Sequence, residues 1–131
     1  MLQLLTAILL GTIAGTFTGL IPGVHTNLIA AITLSALAFL LTYFPPLTII
    51  IFIASMAITH TFIDFIPSIF FGAPDEDTGL SVLPGHELLL KGHGHAAVKL
   101  TLLGSAISII LLIIIVPIFI ILVPPTYPFI Q

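Results

Sequence analysis

The sequence contains no cysteine, no tryptophan and no arginine, and only seven of its 131 residues carry formal charge at neutral pH. Without cysteine there are no disulfides, no thiolate metal sites and no cysteine nucleophile. Without arginine or a basic patch there is nothing to neutralise a phosphate backbone, which excludes nucleic acid as a partner. Soluble domains carry about a quarter charged residues, against 5% here. The net charge of −3 rests on so few groups that it says little about partners. No nucleophile elbow, phosphate-binding glycine loop or HExxH motif is present, so nothing points to an enzyme.

What the chain has instead is apolar surface: 59% hydrophobic residues and a mean hydropathy of +1.35. Apolar runs of about 20 residues recur, the length at which a helix crosses the hydrocarbon core of a bilayer. The composition therefore gives an all-α integral membrane protein, multi-pass in the cell membrane, with the lipid bilayer as its first partner. The first run has no charged segment before it and further spans behind it, so it reads as a retained span and not a signal peptide.

About four transmembrane helices are expected, over residues 2–21, 28–44, 47–66 and 97–123, forming one domain over 1–131. Pro45-Pro46 and Pro67 close the second and third spans, and Pro117 kinks the fourth or ends it early. The first span carries Gly11, Gly15 and Gly19 at four-residue spacing, a flat stripe suited to close helix approach. Packing within the chain is the plainer use of that stripe, and a dimer contact is the other.

Residues 67–96 form the polar region. Ser81 suits a helix cap, Pro84 a first turn and Gly92 a helix end, giving a short helix through Leu90. That region is either an amphipathic helix on the membrane surface or a re-entrant helical hairpin. Lys91, near its end, and Lys99, just beyond it, lean it to the cytoplasmic side.

Three groups of residues can carry chemistry. In "GLIPGVHTNL", Pro22 and Gly23 break the chain between two spans. Thr26 or Asn27 then caps a helix starting at Leu28. A helix start offers unpaired N–H groups and the positive end of its dipole, and His25, Thr26 and Asn27 add donors around a candidate anion site. A water-facing turn is the alternative. In "THTFIDF", His60 and Asp64 share a helical face at i,i+4 spacing and can hold or relay a proton. In "GAPDEDTG", Asp75, Glu76 and Asp77 gather charge as a solvated loop or a cation site, without calcium-loop spacing. His93 and His95 lack a third ligand of evident spacing, so no metal site is assigned. "GLIPGVH" and "SVLPGHE" echo one another, and paired Pro/Gly interruptions are expected of transporters built from repeats.

"GLIPGVHTN", "HTFIDFIPSIFFGAPDEDTGLSVLPGHELLLKGHGHAAVKL" and "LVPPTYP" resemble the archaeal branch of the TctA-type permeases, the large membrane subunits of tripartite tricarboxylate transporters. The resemblance implies a transporter fold with repeated halves, of which this chain is similar to the amino-terminal half. By it, Pro22, Gly23, His25, Thr26 and Asn27 match the first break. Pro74, Asp75, Glu76, Asp77, Pro84, Gly85 and His86 match the second region. The Pro-Gly break also looks, more distantly, like those of polyprenyl-phosphate translocases.

The expectation is thus a permease for a small anionic solute such as a carboxylate, working as a homodimer of half-size chains. Pro22, Gly23, His25, Thr26, Asn27, Pro84, Gly85 and His86 would bind the solute. His60, Asp64, Asp75, Glu76 and Asp77 would couple a proton or a sodium ion, with no other cofactor. A translocase for a lipid-linked phosphate and a non-transporting scaffold or orphan half-subunit are the competing expectations.

Overall fold

A computed structural model describes residues 1–72 and 79–126. Seven helices run in the order α1 (Leu2–Leu20), α2 (Thr26–Ser35), α3 (Leu37–Leu40), α4 (Pro46–Ile63), α5 (Phe65–Phe71), α6 (Gly79–Leu90) and α7 (Gly94–Thr126), and no strand occurs among the described residues. Among the described residues, three stretches are long and apolar enough to cross a membrane: Leu2–Leu20, Pro46–Phe71 and Gly94–Val123.

The core is the seam between α1 and α4. Ala7, Gly11, Gly15 and Gly19 are the buried positions of α1, so the glycine stripe serves packing within the chain. A Cβ on Gly11 would stand 2.5 Å from Phe52 O, and one on Gly19 3.0 Å from His60 O; one on Gly15 would collide with Met56 O. Only a missing side chain lets the two backbones come this close. The same three glycines face Ser55, Thr59 and Ile63 in turn, so the four-residue ridges of both helices advance together. The two helices are therefore parallel.

That parallel course decides the expected second span. The chain leaves α1 at one end and must return to the other before α4 begins. Residues 21–45 make the return, but as the short helices α2 and α3 with an interruption at Ala36 (φ −90°, ψ 4°). No proline or glycine stands at that point. The crossing is thus a broken helix, packed against the starts of α1 and α4 around a cavity of about 380 Å³ lined by Ala7, Thr33, Ala36 and Thr48.

Pro67 does not end the third span. Its missing N–H removes the bond to Ile63 O, and the helix is interrupted only at Asp64, which keeps helical angles (φ −59°, ψ −25°). Together α4 and α5 cover 26 residues, about 39 Å at 1.5 Å per residue. Gly72 (φ +64°) closes α5 in the left-handed conformation. α6 starts at Gly79, two residues ahead of Ser81, so Pro84 lies inside it and not in its first turn. At 12 residues it is about 18 Å long, too short to cross, and it packs on α5 and α7. Gly92 (φ +82°) turns the chain into α7. α7 continues through Pro117 without ending. After the buried Gly94 and Ala97 in its first turn, its apolar spanning stretch has no further buried residue, and a helix of that kind meets lipid or another protein.

Candidate functional site

The first break is a tight turn. Val24 N donates to Ile21 O at 3.3 Å around Pro22 and Gly23, and Gly23 has φ +83°. Proline followed by a glycine of positive φ is the arrangement of a type II turn. No atom lies within 4 Å of a Cβ built on Gly23, so its glycine is required by backbone angle and not by crowding.

His25 then takes an extended conformation (φ −84°, ψ 147°) as the N-cap of α2, without a side-chain capping bond. This shifts the expected cap: the helix begins at Thr26 and not at Leu28, because the turn is complete by Val24. Leu28 N is used by His25 O at 3.1 Å. The side chains of His25 and Asn27 are exposed and that of Thr26 is half-buried. The arrangement is an uncapped helix start with imidazole, hydroxyl and amide beside it, able to receive a negatively charged group.

This turn lies beside the α4–α5 junction. Gly19 is against His60 and Ile63, and α5 continues for eight residues past Ile63, about 12 Å beyond the level where α1 ends. One turn before the break, Thr18 Oγ1 lies 3.0 Å from His60 Nδ1. The other ring nitrogen, Nε2, is 4.0 Å from Asp64 Oδ2. His60 is buried and Asp64 half-buried. The structure therefore brings the end of α1, one turn before the break, onto His60 and Asp64. Thr18, the residue joining them, escaped notice as a site residue. Its sequence shows only one hydroxyl among several on a glycine-rich helix, and the pairing of α1 with α4 is not written locally.

The second Pro-Gly pair has a different setting. Gly85 is buried, and a Cβ there would stand 3.0 Å from Ile69 Cγ1. His86 Nδ1 donates to Ile69 O at 2.7 Å, and its ring lies against Gly72, whose added Cβ would be 2.8 Å from Nε2. Ile69 O belongs to the last turn of α5, where carbonyls lack helical partners. His86 thus caps α5 from α6, and the glycines at 72 and 85 make room for it.

Pro84 and Gly85 also border a cavity of about 590 Å³ between α4, α5, α6 and α7, whose walls include Thr61, Phe65, Thr101 and Ser108. The hydroxyls of Thr61, Thr101 and Ser108 donate to carbonyls of their own helices. They leave mostly acceptors and hydrocarbon facing this space, an unsuitable lining for an anion. Asp75, Glu76 and Asp77, with Pro74, lie outside the described residues. His93 and His95 are exposed, and no group of three potential metal ligands occurs among the described residues.

Comparison with known proteins adds a family to this geometry. The pattern of the tripartite tricarboxylate transporter TctA family matches residues 5–129. An uncharacterised protein of Methanocaldococcus jannaschii is 45% identical over 115 residues, which cover 88% of this chain and 28% of that relative. The chain thus spans less than a third of the length of the curated relative it matches. No solved structure matches. TctA is a family of membrane permeases and not of enzymes, and the apolar helices agree with a multi-pass membrane protein. The chain belongs to the tripartite tricarboxylate transporter TctA family.

Proposed function

We propose that the chain is part of a permease for a small anionic solute such as a carboxylate. The uncapped start of α2, presented by the Pro22–Gly23 turn beside His60 and Asp64, carries this reading. The anion would be received by the first N–H groups of α2, with His25, Thr26 and Asn27 around it. Pro22 and Gly23 set the turn that aims them. Pro84, Gly85 and His86 hold α6 on α5, so their part is to support the site and not to touch the solute. The broken α2–α3 crossing agrees with transporters, which place interrupted helices around a substrate.

The transporting unit contains more membrane helices than these. The exposed apolar face of α7 and the greater length of the relative both support that. A second copy of the chain is one source of them. Coupling is to a proton or sodium ion, through His60 and Asp64 and with Asp75, Glu76 and Asp77 as further candidates.

Uptake of radiolabelled carboxylates into proteoliposomes, with and without a proton or sodium gradient, tests the reading. Gradient-dependent uptake that falls at least tenfold in His25→Ala with Asn27→Ala is expected. Uptake equal to that of empty liposomes across mono-, di- and tricarboxylates would overturn it. The same anion cradle fits a lipid-linked phosphate, so a polyprenyl phosphate that copurifies and moves between leaflets would transfer the site to that substrate.

A further inference from the structure

The cavity of about 380 Å³ lies at the opposite end of the α1–α4 seam from the Pro22–Gly23 turn. Its walls include Thr6 from α1, Thr33 and Ala36 from the α2–α3 crossing, and Thr48 from α4, and no charged side chain is among them. Thr48 sets this cavity apart. It is only 8% exposed, and its hydroxyl oxygen is buried without a hydrogen-bond partner. Buried polar side-chain atoms rarely stay unpaired, so this hydroxyl calls for a ligand that the surrounding residues do not supply.

The other oxygens define the chemistry of that ligand. Thr6 Oγ1 donates to Gln3 O at 2.9 Å and Thr33 Oγ1 to Ile29 O at 2.7 Å. A hydroxyl has a single proton, so both have only lone pairs left to offer. The backbone adds acceptors of the same kind. The ladder of α2 ends with Ala36 N on Ile32 O at 3.1 Å and resumes with Leu40 N on Ala36 O at 3.0 Å. Between those bonds the helix is interrupted, and a helix end carries free carbonyls and the negative pole of its dipole. Such a lining repels an anion, and a lipid tail in the cavity would leave Thr48 unpaired.

We propose that the break at Ala36, with Thr33 and Thr48, is a binding site for an alkali-metal cation such as sodium. Hard cations take oxygen ligands, and neutral hydroxyl and carbonyl oxygens suit a single charge. A divalent ion does not fit, because without a carboxylate the site cannot offset the loss of its hydration shell. The cavity has room for the ion and for waters that complete its coordination.

α2 then works at both ends. Its 10 residues span about 15 Å, with the anion seat at its start and the cation at its end. Opposite charges at the two poles of one helix are each favourable to its dipole, so each ligand holds the helix in place for the other. This coupling rests on the permease reading above. The cation site itself does not, and it is separate from His60 and Asp64.

Thermal unfolding of the full chain in detergent, in sodium chloride against choline chloride at equal ionic strength, tests the site. Sodium should raise the melting temperature of the parent in a saturable way. Thr48→Val keeps the shape and removes the hydroxyl; it should abolish that rise while melting in choline no earlier than the parent. Thr48→Ser should retain the rise, and Thr33→Val should require at least threefold more sodium for half of it. A parent that melts identically in both salts would mean that water fills the cavity, and would overturn the proposal. So would an equal rise with magnesium chloride, or a rise that persists when Thr33→Val and Thr48→Val are combined. In proteoliposomes, Thr48→Val should reduce the stimulation of carboxylate uptake by a sodium gradient at least tenfold. If that stimulation survives, the coupling fails while the cation site stands. If sodium stabilises the parent and no carboxylate moves, the permease reading fails while the cation site stands.

Discussion

Pro22–Gly23 and Pro84–Gly85 share a pattern, Pro-Gly after two aliphatic residues with a histidine close behind, yet they do opposite things. At Gly23 the backbone takes φ +83°, nothing crowds the residue, and the chain stops being a helix. At Gly85 the helix continues, the residue is buried, and the missing side chain admits Ile69. The difference extends to the histidines. His25 is exposed and caps nothing with its ring, whereas His86 is spent on Ile69 O. A glycine can be present for its backbone freedom or for its absent volume, and the flanking letters do not say which.

Substitutions at the two glycines are the most forceful way to break this contrast. Gly85→Leu pushes a branched side chain into Ile69 and should destabilise the chain by about 1–3 kcal/mol, read as a lower melting temperature in detergent. Gly23→Leu meets no neighbour, so it should cost only the backbone strain of about 1–2 kcal/mol while reducing anion uptake more. If Gly23→Leu unfolds the chain and Gly85→Leu does not, the assignment of roles is reversed.

The histidines give a smaller and cleaner separation. His86→Ala leaves the Ile69 carbonyl without its donor and should destabilise by about 1–3 kcal/mol. His25→Ala should leave the melting temperature unchanged and lower anion affinity. A His86→Ala protein as stable as the parent would remove the capping role. The smallest effect belongs to the exposed Lys91–Glu87 pair, 2.6 Å apart at i,i+4 on α6. Glu87→Gln should change stability by no more than about 0.5 kcal/mol; a larger loss would mean that α6 is held by its charges and not by Gly85 and His86.

Much of the site was legible locally. Pro22 and Gly23 name a turn because proline fixes φ and glycine permits its positive values, and His60 with Asp64 name a shared face by spacing alone. The cap of α2 lies one or two residues before the expected Thr26 or Asn27, because the turn closed at Val24 and left His25 extended. Pro67 and Pro84 looked like helix boundaries, but one missing bond in a helix packed on its neighbours interrupts it without ending it. The membership of Thr18 was illegible, since it depends on residue 18 lying beside residue 60.

From the sequence alone come the membrane, the helices, the first turn and the carboxylate–imidazole pair, all set by composition and by neighbours within a few residues. The tertiary structure decided the rest. Parallel packing of α1 on α4 sends residues 21–45 back as a broken crossing and puts Thr18 on His60. Packing of α6 on α5 turns the second Pro-Gly into a seat for Ile69. Those outcomes depend on which surfaces meet, and surfaces that meet across tens of residues leave no periodic trace in the chain between them.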